Sequence, residues 1–564
     1  MKKSAIRLLG RPASRLLLFF LLTKSFTSYA QSLPVGTPFL EETLRRLQIT
    51  GARTNDISFS IRPLFAFTPE DIDSIYNPQA GDHSPSRLTY ANGKGRLVFL
   101  PATIKQQYNS HHPYGWNDGS MIQAKGYQMQ ASVGIYTRIG PLSIQLRPEF
   151  VYAQNPGFEE FPSWQIDSLW KSYYEILNRI DNPERFGNGN YTKAFAGQSS
   201  VRLNFKKLSL GVSTENLWWG PGIRNSLLMS NTAPGFPHIT FNTSAPIVSG
   251  IGSFEWQVIS GTIKGSGILP TDTGKTFNGA QLYQPKQADS KRYMNGMIVT
   301  WQPKWTKGLF LGFSRMFYLY NSDIDKSLDG YLPILGTFFK GSTNGEDEKK
   351  RDQLLSIFAR LVLPKEKAEI YAEFGRNDHS QNSRDLVLEP EHARAYIIGG
   401  RKTFTTARKT DVELMFEFTQ TENSPTAWLR PQEGWYTHYQ VRHGYTNRGQ
   451  VMGAGIGPGS NSQVFGVNWI KGLKKLGVSF ERVVRNNDFY YKAFSPMQNP
   501  RFHWVDLSLN VNKDWYCKRF IYSANLSLVR SLNYQWRYLH DAEGEEVYTN
   551  VNNLHAAFSV SYLF

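Results

Sequence analysis

The most regular pattern in the chain is an alternation of apolar with polar or small residues, and it closes the sequence. Leu554, Ala556, Phe558, Val560, Tyr562 and Phe564 fall at every second position, with His555, Ala557, Ser559 and Ser561 between them. Period two puts the two sets on opposite faces of an extended strand. In water, a long half-apolar strand ending on an aromatic would be an aggregation-prone edge; closure of a barrel in lipid removes that edge. The stretch predicts the closing strand of an outer-membrane β-barrel.

The alternation becomes regular from Gln123. Tyr127, Met129, Ala131, Val133, Ile135 and Ile139 share one face, opposite Gln128, Gln130, Ser132 and Arg138. After a Gly140-Pro141 turn, Leu142, Ile144, Leu146, Phe150 and Tyr152 point outward against Ser143, Gln145, Arg147 and Glu149. Pro148 lacks an N–H and breaks that ladder. Strand–turn–strand units recur at 191–205 with 208–217, 236–247 with 253–264, 292–302 with 309–320 and 351–363 with 368–376. They continue at 394–403 with 411–420, 463–470 with 476–486 and 501–512 with 519–530, before the closing strand. With one strand before Gln123, the fold class is all-β: a transmembrane antiparallel β-barrel of about 18 strands. Short joints (140–141, 206–207, 364–367, 471–475) fall on one side of the count and long ones (154–190, 218–235, 265–291, 321–350, 377–393, 421–462) on the other. Barrels of this kind keep both termini and the short turns in the periplasm, so the long joints are extracellular.

Helical spacing appears in two places. Thr37-Pro38 opens a helix with Phe39, Leu40, Thr43, Leu44 and Leu47 as its stripe, and Thr68-Pro69-Glu70-Asp71 repeats the start signal. These short helices belong on the periplasmic side; of the strand candidates 57–64 and 96–105, one is expected to span. In one extracellular loop, Ile166, Leu169, Trp170, Tyr173, Ile176, Leu177 and Ile180 predict an amphipathic helix, which either caps the mouth or lies against the outer loops.

Five Lys/Arg, an apolar run at 16–22 and Ser28-Tyr29-Ala30 read as a signal peptide over 1–30, cleaved near Ala30. An N-terminal periplasmic helical segment with a possible first strand follows at 31–92, then the barrel at 93–564. Aromatic content of 14% with a mean hydropathy of -0.42 fits a wall whose lipid-facing and lumen-facing residues cancel. The single cysteine, Cys517, excludes a disulfide framework. Net charge is +17, and removal of six leader Lys/Arg leaves +11, enough to attract lipopolysaccharide phosphates or an acidic polysaccharide. Lumen positions Arg147, Glu149, Arg360, Glu369, Glu373, Glu413, Glu417 and Glu481 carry both signs, which suits a salt-bridged interior as well as a conducting one.

Residues 215–238 are the densest candidate for function. Trp218 and Trp219 offer flat apolar faces beside Asn, Ser, Arg224 and His238, the pairing a sugar requires; a place in the interfacial aromatic girdle is the bland alternative. Trp435, Tyr445, His392, Arg394 and Arg448 add stacking and charge on other loops. Asp378-His379-Ser380, and His392 near Glu389 and Glu391, put acids near histidines, but no Ser, His and carboxylate have the spacing of a nucleophile motif. No enzyme is expected. His111-His112 lacks further ligands at metal spacing, no cofactor is implied, and nucleic-acid binding has no motif.

The stretch 216–238, together with 114–119 (YGWNDG), 145–150 (QLRPEF), 388–392 (LEPEH) and 444–450 (GYTNRGQ), resembles the Wzi family of capsule-assembly outer-membrane proteins. The matches spread over 114–463. The resemblance implies an eighteen-stranded barrel with a small periplasmic helical portion and a blocked lumen. It also implies a lectin-like role: holding exported capsular polysaccharide at the cell surface, with outer-membrane lipid, lipopolysaccharide and capsule export machinery as expected partners. The alternative is an outer-membrane porin for small solutes or oligosaccharides.

Overall fold

A computed structural model describes residues 31–52, 56–65, 87–336, 350–377, 387–408, 410–430, 432–494, 500–537, 539–540, 546–547 and 549–564. The predicted leader, the second helix start at 68–71 and Asp378-His379-Ser380 lie outside them. Eighteen antiparallel strands form the wall. They begin with β1 (Gly95–Asn109), β2 (Gly126–Ile139), β3 (Leu142–Leu146 and Glu149–Ala153), β4 (Tyr191–Phe195 and Ser200–Phe205) and β5 (Leu208–Ser213). Next come β6 (His238–Thr243 and Ile247–Ser249), β7 (Gly252–Ile263), β8 (Arg292–Pro303), β9 (Leu309–Tyr320), β10 (Asp352–Leu363) and β11 (Ala368–Asn377). The rest are β12 (Arg394–Thr405), β13 (Asp411–Gln420), β14 (Asn461–Lys471), β15 (Lys474–Arg485), β16 (Trp504–Cys517), β17 (Phe520–Leu532) and β18 (Val551–Tyr562).

The barrel closes where β18 pairs with β1, from His555 opposite Asn109 to Tyr562 opposite Ala102. The terminal alternation therefore has a partner on each side, and no edge is left. β3 is interrupted at Arg147-Pro148, and β1 shifts register between Leu100 and Thr103, around Pro101; both breaks fall where a ring removes a ladder donor. Alternation sorts the wall as expected: on β11, Ile370 is 52% exposed toward the lipid side while Glu369 is fully buried in the lumen. No helix among the described residues is long and apolar enough to cross a membrane.

The lumen is filled from both ends. At the short-turn end, α1 (Pro38–Ile49) enters the barrel. Proline at the first turn, with its missing N–H, suits that start. Its Leu40 and Leu44 pack with Phe39, Phe59, Ile521 and Leu563, and Ile49 reaches Phe310 and Val362. Arg45 lies 2.9 Å from Glu369, which also takes Arg360 and Arg401 at 2.6 Å each. Of the inward charges expected from alternation, Arg360, Glu369 and Glu413 thus form a salt-bridged floor.

Above the floor sits a plug of three interlocked segments. Gly119 N–H donates to Asn231 O at 2.7 Å, Ser230 N–H to Met452 O at 2.8 Å, and Asn447 Nδ2 to Pro234 O at 2.9 Å. Tyr436 OH donates to Leu227 O at 2.9 Å and accepts from Ala454 N–H at 2.8 Å. Glu417 on β13 gathers the N–H groups of Ile223, Arg224 and Asn225, so a buried carboxylate orders a turn that has no regular structure. Gly220, at φ +138°, is required there: a Cβ would stand 2.6 Å from the Glu373 carboxylate. Arg45 and Arg62 hold this turn from below, through Pro221 O at 2.8 Å and Gly222 O at 3.1 Å.

Candidate functional site at the outer mouth

Five of the residues expected to contact a ligand lie in the interior instead. Trp219 and Trp435 are fully buried, donating through Nε1 to Gln257 Oε1 at 2.8 Å and to Ala393 O at 3.1 Å. Trp218, 3% exposed, lies under the Arg62 guanidinium, Tyr445 stacks on Tyr436, and His238 is bonded to Phe236 O. This corrects their assignment as a surface for sugars: residues 214–236 look like an outer loop in length and turn content, but the chain folds inward, where the rings fill the lumen. The interfacial-girdle alternative fails for the same reason. Arg224 pairs with Glu481 at 2.8 Å and stacks over Trp116 at 4.2 Å. His392 and Arg394 sit on one sector of the outer rim, near Glu389 and over Tyr396 respectively. Arg448 lies over Phe195 in another sector, so the structure does not bring these three together.

What the outer mouth presents is a cleft of about 210 Å³ between the plug and an aromatic cap. The loop helix α2 (Asp167–Leu177) forms the cap with α3 (Asn487–Phe494), burying Trp170, Tyr173, Phe489 and Phe494 together with Phe161 and Trp536. The prediction that this helix caps the mouth is the one the structure realises. Plug residues 449–451, 455–458 and 460 form the opposite wall.

Three of the rings that line the cleft, Trp504, Tyr534 and Trp536, stand together. Trp504, at the first position of β16 and the most exposed of them, meets Tyr534 and Trp536 edge-on at 5.1 and 4.9 Å. The turn that supplies the other two carries left-handed backbone at Asn533, Gln535 and Trp536 (φ 47°, 60° and 47°), a conformation non-glycine residues adopt at a cost and keep where the surroundings enforce it. Asn533 is fixed by Phe502 O and Asn550 Oδ1. Tyr534 covers His112, whose ring burial pushes down to about 4, leaving it neutral.

Polar groups edge the rings. Arg485 donates to Asp506 at 2.9 Å and lies 5.7 and 5.9 Å over Trp116 and Trp504. Glu184 accepts from Tyr173 OH, from Phe161 N–H at 3.1 Å and from Gln535 Nε2 at 3.2 Å, joining the cap helix to the Trp536 turn. Burial raises its carboxyl to about 7. Flat apolar faces beside amide, guanidinium and carboxyl groups can hold a sugar ring by stacking and its hydroxyls by hydrogen bonds. Sequence reasoning missed this set because it draws on separate segments. Residues 533–537 (NYQWR) nevertheless carry the same aromatic-with-polar signal that singled out 215–238.

A profile of the family described as Capsule assembly protein Wzi matches residues 101–529. No curated protein sequence matches the chain. Among solved structures, the barrel is similar to Wzi of Escherichia coli, described as an outer membrane protein involved in group 1 capsule assembly and a carbohydrate-binding β-barrel. The TM-score is 0.59 at 13% identity, covering 95% of this chain and 100% of that one. OccAB2 of Acinetobacter baumannii aligns with a TM-score of 0.39 at 10% identity (82% and 97% covered), and OprB of Pseudomonas putida with 0.35 at 11% (83% and 94%).

Proposed function

The chain belongs to the Wzi family of capsule assembly proteins, and from that premise we propose that it binds exported polysaccharide at its outer mouth and retains it on the cell. The observation that carries this reading is the Trp504–Tyr534–Trp536 cleft, edged by Arg485, Gln535 and Glu184 and standing above a filled lumen. Stacking on Trp504 binds one sugar weakly. His392 and Arg394 on the surrounding rim, and Arg448 on the plug beside Phe195, engage further repeats of the same polymer, and retention comes from many such contacts. No chemical step is involved. The polymer reaches the mouth from capsule export machinery in the same membrane. A plug bonded to the floor and to the wall weighs against the porin alternative.

The test is the division of extracellular polysaccharide between cell pellet and medium. A deletion strain is compared with strains complemented by the wild-type protein or by Trp504→Ala, after confirming heat-modifiable barrel migration. Deletion is expected to move polymer into the medium at unchanged total yield, and Trp504→Ala to move part of it. An aromatic contact is worth about 0.5–1.5 kcal/mol, roughly two- to thirteenfold per site. An unchanged division overturns the reading, and a steady current in a planar bilayer favours the porin.

A further inference from the structure

The positive charge of the chain is unevenly placed. In the outer loops, cations are matched by acids: Arg537 with Glu159 at 2.7 Å, Arg179 with Glu433 at 2.8 Å, Arg430 with Glu389 at 2.9 Å. At the other end, the short joints carry exposed Lys206 and Lys207, Lys304 and Lys307, Lys518 and Arg519. Lys471 and Lys474 flank another joint, and Lys365 and Arg408 lie in two more. Within the described short joints themselves, Glu366 is the one acid. The basic excess that suggested lipopolysaccharide phosphates thus faces away from the long loops.

We propose that this ring of Lys and Arg binds the phosphate of anionic phospholipid headgroups in the leaflet at the short-turn end. Two observations select a lipid. First, the charges recur at six joints around the circumference, from the β4–β5 joint to the β16–β17 joint with the β6–β7 joint uncharged, as suits a surrounding leaflet, whereas a docked protein or polymer needs one contiguous patch. Second, they border the lipid-facing belt. Lys304 precedes Trp305, which is 70% exposed and packs against Trp301, while the Lys402 and Lys513 ammonium groups lie over Phe404 and Trp515 at 5.7 and 5.5 Å. Aromatic rings at headgroup depth with basic side chains just beyond them fit an anionic interface.

The test uses the full-length protein, stripped of lipid in detergent and incubated with an equimolar mixture of phosphatidylglycerol and phosphatidylcholine, with bound lipid counted by mass spectrometry. Phosphatidylglycerol is expected to be retained over phosphatidylcholine by about fivefold or more, falling toward equality at high salt. The preference should shrink in Lys304→Gln/Lys307→Gln and, on another sector, in Lys206→Gln/Lys207→Gln, each checked for heat-modifiable migration. Equal retention, or a preference both variants keep, overturns the proposal. Loss of the preference to inorganic phosphate at matched ionic strength would make this a free-phosphate site, and displacement by polygalacturonate would make it a polymer site; either outcome overturns the lipid assignment.

Discussion

The two ends of the lumen are closed by opposite chemistry. The floor is held by buried ion pairs: Glu369 is surrounded by Arg45, Arg360 and Arg401, and Arg45 ties α1 to the wall. The mouth is closed by aromatic packing, with Phe161, Trp170, Tyr173, Phe489 and Trp536 in one cluster and Glu184 as a carboxylate joining its parts. Buried charges tolerate little displacement once paired, so the floor fixes position. The rings of the cap are buried against one another, while Trp504 beside them stays half-buried, and the mouth retains a cleft. The plug between them is made from three of the five segments that carry the family resemblance, 114–119, 216–238 and 444–450.

The comparison breaks most sharply at the floor. Glu369→Ala leaves three guanidiniums buried without their shared partner and should cost about 3–5 kcal/mol. Thermal unfolding of the purified barrel measures the loss, and protease access to α1 from the short-turn side shows where it falls. Tyr436→Phe, in the plug, leaves Leu227 O and Ala454 N–H without the hydroxyl they share. About 1–3 kcal/mol is expected, again as a lower melting temperature, with the mouth cleft intact.

The mouth should respond to pH where the floor does not. The Glu184 carboxyl is raised from 4.5 to about 7, so the folded cap favours its protonated form. Its contribution is full below pH 4.5 and is lost as pH rises through 7. Each tenfold between the two acid constants is worth about 1.4 kcal/mol, so hydrogen exchange in α2 should speed up about tenfold or more between pH 5.5 and 8 after correction for intrinsic rates. Glu184→Gln should flatten that dependence. An α2 equally protected at both pH values would show that burial of the carboxyl does not set cap opening.

Much of the wall is legible in the sequence because a strand's two faces meet different solvents. Glu369 and Ile370 are neighbours that read as lumen and lipid from alternation alone, Pro148 predicts the interruption of β3, and loop lengths sort the two ends. Trp218 and Trp219 are the instructive error. Their segment has the length and the Gly and Pro content of an exposed loop, and nothing local distinguishes a loop that projects into water from one that turns back into a wide barrel. The Glu417 carboxylate that receives its N–H groups is 192 residues further on from Asn225.

By itself, then, the sequence determined the strand count, the sidedness and the charged interior, since each follows from period-two patterning and joint length. Only the tertiary structure decided what occupies the lumen and which rings reach the outside. Those outcomes depend on pairing between distant segments: Arg45 with Glu369, Ser230 with Met452, and Trp504 with Tyr534 and Trp536. Such pairs are set by closure of the barrel, which brings together side chains that no local pattern relates.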